Sequence, residues 1–351
     1  MARPLTPRAK VLLPLCLIAL LALSIYRLGK VPPQSAVTTL RGETMGTNYL
    51  VTVVGEHGEK ALQAALDEEL ARIDRLMSTY KADSELSRFN RHESAEPFAV
   101  SVDTARVAAA AQRISEQTGG AFDVTVGPLV ALWGFGAGAH ADAPSDAALA
   151  EAREHVGYQQ LVVELEPPSL RKRDPRLQVD LSAIAKGYAV VQLAELLRAR
   201  GIGAFLVEVG GEVRVQGQKP NGQRWQLGIE RPSDSERTVE RVVELTDTAM
   251  ATSGDYRNYY EREGVRVSHT VDPRTGRPIT HRLASITVLH ESAMLADGYA
   301  TALNVLGPAQ AREVAGSLGL PTLMIIRSEA GFEVAESPSF AERANSTAVA
   351  Q

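Results

Sequence analysis

The chain has 351 residues, of which 44% are hydrophobic and 23% are charged, and its formal net charge is −5. This composition is ordinary for a globular protein with one large domain or two small ones, and it excludes a disordered or fibrous chain. The sequence has no cluster of Lys and Arg interleaved with aromatic residues, so a nucleic-acid-binding groove has little support.

The first thirty residues differ in kind from the rest of the chain. Basic residues precede an uncharged apolar run from Val11 to Tyr26, a pattern typical of an export signal or a membrane anchor. A helix of that length spans about 24 Å, slightly less than a bilayer core of about 30 Å, which favours a cleaved signal. Snorkelling of the flanking charges would still let it span. We therefore predict a signal peptide or signal anchor at 1–30 and a linker at 31–39.

Apolar periodicity and turn residues predict interspersed helices and strands from residue 40 onward, beginning with a strand pair around a tight turn at Gly46. The predicted helices are 59–77, 103–118, 145–155, 183–200, 292–306 and 309–318. The predicted strands are 161–165, 177–180, 204–209, 212–218, 225–230, 241–245, 267–272, 284–289, 322–326 and 332–334. Segment 131–144 is predicted to be a loop and 338–351 a loose tail. Hairpins among helices make the fold class α+β.

Two segments carry the residue types of a site for a hard cation beside a diphosphate. Asp297 and Thr301 stand four residues apart, so a helix would place a carboxylate and a hydroxyl on one face. Upstream, Asp180 ends a predicted strand and Lys186 lies in the first turns of a predicted helix. These groups suit a Mg²⁺-bound pyrophosphate, although a chance Asp and Thr on a surface helix is the commoner meaning of such a pair.

Segment 268–276 brings His269 and Asp272 to the end of a predicted strand. A histidine there could accept the proton of a hydroxyl near pH 7. The same segment is also typical of a hairpin turn capped by Asp272. The Gly210–Gly211 pair similarly predicts either a two-residue hairpin or a close approach of a ligand to the backbone.

Segment 119–128 is expected to place Asp123 and Thr125 on one face of a strand and Phe122 on the other. A planar ring could stack on Phe122, but a buried phenylalanine is the commoner case.

Several kinds of site lack their usual sequence signature. The single cysteine, Cys16, lies in the apolar run, so the folded body has no thiol nucleophile. The histidines show no zinc-binding spacing. The chain has no Walker motif and no Gly-x-Gly-x-x-Gly after a strand, so a site that handles phosphate must rely on Mg²⁺ and helix termini.

Eight motifs in a fixed order give the sequence a specific signature between about Arg41 and Ile326. They are Gly42-Glu-Thr-Met-Gly-Thr47; Met77-Ser-Thr-Tyr80 with Ser84-Glu-Leu-Ser-Arg-Phe-Asn90; Gly120-Ala-Phe-Asp-Val-Thr-Val-Gly-Pro-Leu129 with Leu132-Trp-Gly-Phe-Gly136; Val179-Asp-Leu-Ser-Ala-Ile-Ala-Lys-Gly-Tyr188; Val209-Gly-Gly-Glu212; Thr252-Ser-Gly-Asp-Tyr256; His269-Thr-Val-Asp-Pro-Arg-Thr-Gly276; and Ala296-Asp-Gly-Tyr-Ala-Thr-Ala302. In these motifs the chain resembles the ApbE family, the FAD:protein FMN transferases of bacterial envelopes.

This resemblance implies a Mg²⁺-dependent enzyme that cleaves the FAD pyrophosphate, releases AMP and attaches FMN through a phosphoester to a Thr or Ser hydroxyl of a target protein. It implies acceptor proteins in envelope redox complexes and a location on the periplasmic face of the bacterial inner membrane. The implied fold has two similar α/β subdomains with mostly antiparallel sheets and the flavin site between them. The ApbE-like domain is expected to cover 40–337.

The resemblance also implies roles for particular residues. The implied Mg²⁺ ligands are the Ala183 carbonyl, Asp297 and Thr301. The implied flavin contacts are Met45, Tyr80, Ala121, Phe122, Asp123, Asp180, Lys186 and the backbone at Val271. His269 is the candidate base, and with Asp297 it makes up the predicted catalytic pair.

Two points have alternatives: the way the N-terminus is anchored, and the function of the site. Many relatives are lipoproteins, but the residues before Cys16 lack the small residue expected next to a lipidated cysteine, so we expect a signal anchor or a cleaved signal. The alternative functions are a FAD pyrophosphatase, which uses water as acceptor, and a periplasmic flavin-binding module without turnover.

Overall fold

The computed structural model describes residues 36–135, 143–233, 238–256, 259–262, 265–345 and 347–348. Residues Val37–Gln351 form one compact unit. The predicted signal segment 1–30, with Cys16, and most of the predicted linker lie outside the described residues. Across the described ranges, no helix is both long enough and apolar enough to cross a bilayer.

The described residues form eight α-helices and eighteen strands. The helices are α1 (Glu59–Met77), α2 (Glu85–Arg91), α3 (Val102–Gln117), α4 (Gly127–Leu132), α5 (Asp146–Glu154), α6 (Ser182–Ala199), α7 (Ala293–Ser317) and α8 (Pro338–Ala344). The strands are β1 (Val37–Thr44), β2 (Thr47–Val54), β3 (Phe98–Ala99), β4 (Leu161–Leu165), β5 (Pro168–Lys172), β6 (Phe205–Val209), β7 (Glu212–Gln216), β8 (Trp225–Glu230), β9 (Val239–Leu245), β10 (Ala249–Gly254), β11 (Tyr259–Arg262), β12 (Val265–Ser268), β13 (Val271–Asp272), β14 (Arg277–Pro278), β15 (Leu283–His290), β16 (Thr322–Ser328), β17 (Gly331–Glu336) and β18 (Thr347–Ala348).

A central sheet of eight strands organises the molecule, in the order β1-β2-β6-β7-β10-β15-β16-β17. All neighbouring strands in it pair antiparallel. Strands from both halves of the chain therefore share one sheet. The predicted α+β fold class with mostly antiparallel sheets is confirmed.

Each face of the central sheet carries its own core, because side chains alternate along a strand. Met324 and Ile326 of β16 join the large core that includes the buried residues of α1, α3, α6 and α7. Leu323 and Ile325 of the same strand join a second core with β8, β9 and α8. The four long helices thus cover one face, and a small sheet with α8 covers the other.

The C-terminal tail differs from the prediction. Residues 338–344, expected to be loose, form α8, and the fully buried Phe340 anchors this helix in the second core. Ser337 caps α8 by accepting a hydrogen bond from the Phe340 N–H at 3.2 Å. After α8, β18 pairs with β9. The predicted linker was also too long, since β1 begins at Val37 and pairs with β2 along its whole length.

The prediction was wrong for one strand, placed the start of one loop two residues early and missed another strand. The predicted strand 177–180 is irregular, and the Asn90 side chain pairs with both the N–H and the carbonyl of Val179, each at 2.8 Å. The first two residues of the predicted loop 131–144 belong to α4, and residues 136–142 of it lie outside the described residues. The small-residue strand β10 was missed, although it lies in the centre of the sheet.

The predicted Gly-Gly turn is confirmed by the backbone, whereas two helices predicted separately form one bent helix. Gly210 and Gly211 form the two-residue turn between β6 and β7, with φ of 57° and 101°, values that favour glycine. The two helices predicted at 292–306 and 309–318 run as the single helix α7, bent at Gly307, which has φ 73° and is followed by Pro308.

Candidate active site

Two adjoining cavities open beside the first turns of α6. They measure about 670 Å³ and about 390 Å³, within the range of small-molecule sites. Asp180, Ser182 and Lys186 line both cavities, so the two form one cleft.

The cleft brings all the predicted site residues together. The smaller cavity is lined by Ala121, Phe122, Asp123, Asp180, Ala183, Lys186, His269, Val271, Asp297 and Thr301. The larger cavity is lined by Met45 and Tyr80 together with Asp180 and Lys186. The sequence hypothesis required the Asp297/Thr301 pair and the start of the helix near 183 to meet, and they meet in the smaller cavity.

Helices α6 and α7 approach each other closely at Gly187. A Cβ atom on Gly187 would lie 2.7 Å from the Cβ of Asp297 and 2.8 Å from the carbonyl carbon of Ala293. The approach lets the Gly187 N–H donate to Asp297 Oδ2 at 2.9 Å. In a regular helix this N–H would bond the Ala183 carbonyl. Because Asp297 competes for the Gly187 N–H, the carbonyl oxygen of Ala183 can accept another partner.

Three charged groups meet at the floor of the cleft. The ammonium of Lys186 lies 2.7 Å from Glu212 Oε2, and both Glu212 and Asp297 are buried, with 3% and 4% of their surface exposed. Burial and the facing Asp297 carboxylate raise the pKa of Glu212 to about 8. Burial also raises the pKa of Asp297, although Lys186 works in the opposite direction. For Lys186, burial lowers the pKa, but the carboxylates of Asp297 and Glu212 outweigh it and hold the pKa above its ordinary value.

These groups fit a divalent cation. Two buried carboxyl groups face one ammonium, so ionisation of both leaves an excess of one negative charge among these three groups. Within the described ranges, no group of three or more His, Cys, Asp or Glu side chains could hold a metal. A cation here would therefore take neutral oxygens as well, and Ala183 and Thr301, which carry a carbonyl and a hydroxyl, line the same cavity as Asp297. Mg²⁺ accepts such oxygen sets and usually keeps waters.

The segment expected to be a strand at Asp123 is a turn. Asp123 Oδ1 accepts hydrogen bonds from the Thr125 N–H at 2.8 Å and the Thr125 hydroxyl at 2.6 Å, and Oδ2 accepts one from the Tyr158 N–H at 2.8 Å. This Asp side-chain turn outcompetes strand geometry. Burial raises the pKa of Asp123 despite these bonds. Because its two oxygens hold this turn together, the Asp123 carboxyl group stabilises the wall of the smaller cavity.

Phe122 belongs to the large core, as the commoner alternative predicted, and also lines the smaller cavity. Asp180, an implied flavin contact, also takes part in backbone hydrogen bonds. Asp180 Oδ1 accepts a hydrogen bond from the Ser182 N–H at 2.8 Å, while its own N–H donates to the Val124 carbonyl at 2.7 Å. Asp180 therefore organises the start of α6, and it also lines both cavities.

Met45 and Tyr80 stand at the rim of the larger cavity. Met45 lies in the β1–β2 turn with φ 48°, a left-handed conformation, and packs partly against the large core. The Tyr80 residue is 81% exposed. An aromatic ring so exposed at the edge of a cavity is available to stack on a planar ligand.

In segment 268–276 the predicted turn is confirmed, and His269 lies at the smaller cavity, where its role as a base stays a prediction. Asp272 forms the turn, because Oδ1 accepts from the Arg274 N–H at 2.9 Å and its carbonyl accepts from the Gly276 N–H at 2.8 Å. His269 follows β12, lines the smaller cavity, and meets the Phe135 ring edge-on with centroids 6.3 Å apart. Trp133 Nε1 anchors the turn by donating to the Gly276 carbonyl at 2.9 Å.

Glu212 is a buried charged residue of the cleft for which the sequence predicted no role. It appeared only as the last residue of the Val209-Gly-Gly-Glu212 motif. The sequence feature that could have identified Glu212 is its position directly after a Gly-Gly turn. It is the first residue of a strand and is followed there by apolar residues.

Comparisons with known proteins agree with the motifs. The model of the ApbE family matches residues 45–324. The FAD:protein FMN transferase of Vibrio cholerae serotype O1 is 48% identical over 305 residues, which cover 86% of this chain and 91% of the relative. The FAD:protein FMN transferase of Escherichia coli K12 is 40% identical over 335 residues, which cover 92% and 95%.

Solved structures agree in fold. The flavin transferase ApbE from Vibrio cholerae matches with a TM-score of 0.81 at 45% identity, covering 88% of this chain and 99% of that one. The apo form of the flavinyl transferase ApbE from Pseudomonas stutzeri matches with a TM-score of 0.80 at 36% identity, covering 88% and 97%.

Proposed function

This chain belongs to the ApbE family and is a transferase that moves FMN from FAD to a target protein, and we propose that it uses Mg²⁺, attaches FMN to a Thr or Ser hydroxyl and releases AMP. The observation that carries the proposal is the convergence in one cleft of Lys186, Asp297, Thr301 and His269. These four residues come from three separate motifs of the chain. Packing of an apolar core alone would not place these four polar residues around one cavity.

To catalyse this transfer, the protein mainly has to position the reacting groups and neutralise the charge of the diphosphate. The acceptor oxygen attacks the FMN phosphorus in line, and the phosphoanhydride bond to AMP breaks as the new phosphoester forms. His269, at the wall of the cavity, takes the proton of the acceptor hydroxyl. Lys186 neutralises charge on the diphosphate from the junction of the two cavities. A Mg²⁺ ion held by Asp297, Thr301 and the Ala183 carbonyl would add to that neutralisation.

The flavin is proposed to lie in the larger cavity, with its ring system against Tyr80 and Met45. The diphosphate would then reach the junction at Asp180 and Lys186, which line both cavities. The smaller cavity would take the cation. Ala121, Phe122, Asp123 and the backbone at Val271 would form the wall that closes this end of the site.

We also propose that the protein works at the periplasmic face of the inner membrane on proteins of envelope redox complexes. The support is the basic and apolar pattern of residues 1–30. The test is fractionation of cells, with the protein expected in the membrane or periplasmic fraction. Recovery in the cytoplasm would contradict this location.

The main rival is hydrolysis of FAD, with water as acceptor. Mass spectrometry of a candidate acceptor protein incubated with FAD and Mg²⁺ separates the two reactions. Transfer adds the mass of FMN less one water to the acceptor, whereas hydrolysis yields only free FMN and AMP. A third possibility, a flavin-binding module without turnover, leaves FAD intact.

The Asp297→Asn variant tests the metal assignment in the same assay. It keeps the size of the side chain and an acceptor for the Gly187 N–H, but it removes the carboxylate charge. We expect transfer to fall at least about a hundredfold, by analogy with the loss of one essential charge-stabilising group. Transfer at the wild-type rate with a folded variant would refute the assignment.

A further inference from the structure

The turn between β6 and β7 is shaped around the side chain of Lys186. A Cβ atom on Gly210 would lie 3.1 Å from Lys186 Cδ and 2.8 Å from Thr47 Cγ2, so the lysine stem crosses the turn where only glycine leaves room. Glu208 Oε1 accepts a hydrogen bond from the Gly211 N–H at 2.6 Å and braces the turn. The lysine is therefore guided along a defined path to its end at Glu212.

The carboxyl groups of Asp297, Glu212 and Glu208 all act electrostatically on the ammonium of Lys186, and the structure pairs it with Glu212. The ammonium lies 2.7 Å from Glu212, whose side chain is only 4% exposed, against 31% for that of Lys186. Asp297 instead accepts a hydrogen bond from the Gly187 N–H. The pairing matters because an ammonium on Asp297 would occupy oxygens that a cation needs and would repel that cation.

We propose that Glu212 is a positioning residue, which holds Lys186 away from Asp297 and so reserves the Asp297 carboxylate for the divalent cation. The same contact keeps the ammonium at the junction of the two cavities, where the diphosphate would bind. This inference rests on the proposed function, because the cation site is part of it. It assigns Glu212 no direct bond to the cation or the substrate.

The test measures binding of Mn²⁺ to the protein without flavin, by electron paramagnetic resonance of the free ion. In Glu212→Gln, Lys186 loses its partner and turns to Asp297, so we expect the Kd for Mn²⁺ to rise at least tenfold. The matched control is Glu195→Gln, the same chemical change at an exposed position of α6, with an expected Kd within twofold of wild type.

The decisive comparison repeats the change in a background without the ammonium. In Lys186→Met, nothing competes for Asp297, so adding Glu212→Gln should change the Kd for Mn²⁺ by less than threefold. An equal tenfold loss in both backgrounds would overturn the inference, because Glu212 itself would then attract the cation. An unchanged Kd in Glu212→Gln alone would overturn it as well.

Two further measurements separate this role from a structural one and from failure of the proposed function. Raising the Mg²⁺ concentration should restore flavin transfer by Glu212→Gln, whereas a merely misfolded variant would not recover. If Glu212→Gln does not fold, the test uses Lys186→Met and the double variant Lys186→Met/Glu212→Gln. Their Kd values for Mn²⁺ should agree within threefold, and a tenfold difference would overturn the inference. If the wild-type protein binds no Mn²⁺, the metal site of the proposed function fails, and the inference fails with it.

Discussion

Replacing Gly187 by Ala tests whether the close approach of α6 and α7 builds the cation site. The new Cβ would stand 2.7 Å from the Cβ of Asp297 and 2.8 Å from the carbonyl carbon of Ala293. Carbon atoms touch at about 3.5 Å, so the helices must part by roughly 0.7–0.8 Å. Overpacking of this kind costs about 1–3 kcal/mol, which offsets the gain of about 1 kcal/mol that Ala usually brings to a helix. We expect a net loss of about 0–2 kcal/mol in the free energy of unfolding.

The loss of flavin-transfer rate, expressed as a free energy, should exceed the loss in the free energy of unfolding. A displacement approaching 1 Å can cost about a hundredfold in rate, because catalytic geometry tolerates only about 0.5 Å. Thermal unfolding, Mn²⁺ binding and flavin transfer are measured together. The control is Gly316→Ala, a helical glycine in α7 with nothing within 4 Å of its Cβ position, which should be neutral or slightly stabilising. If Gly187→Ala behaves like this control in all three measurements, the reasoning is refuted.

Three further predictions follow from burial and charge. Tyr80→Ala should raise the KM for FAD about tenfold without lowering the Tm, because the residue is 81% exposed, and an unchanged KM would remove Tyr80 from the flavin site. Phe340→Ala should cost about 3–5 kcal/mol in chemical denaturation, since the ring is fully buried, and a loss below about 1 kcal/mol would contradict its role as anchor of α8. Burial raises the pKa of Glu212 to about 8, so the folded protein holds a proton that the unfolded chain releases above its ordinary value of 4.5. In EDTA the Tm should therefore fall as pH rises from about 5 to about 8, and Glu212→Gln should flatten this slope; an equal slope in both would contradict the assignment.

Local patterns were sufficient where the physics is local. Helix α1 was predicted with its observed bounds, because its buried residues recur at helical spacing along one face. The Gly210–Gly211 turn was also predictable, since two consecutive positive φ angles favour glycine. The prediction of 177–180 as a strand was wrong because a side chain distant in sequence, Asn90, pairs with both backbone groups of Val179.

The buried C-terminal helix shows a second limit. Residues 338–344 are short and mostly polar or small, so nothing in their pattern marks a helix that the core requires. Phe340 is buried because β8, β9 and the back of the central sheet leave a place for it. An isolated helix of this length is marginal in water, and tertiary packing decides whether it forms.

The sequence by itself determined the family, the fold class and the motif residues that the cleft brings together, because each motif keeps its residue types and spacing along the chain. Only the tertiary structure decided how those residues are paired. Glu212 meets Lys186 because the β6–β7 turn passes under α6, and Asp297 meets the Gly187 N–H because two helices touch at a glycine. Such pairings depend on the register of strands and on the distance between helices, which arise from the packing of the whole core rather than from any one segment.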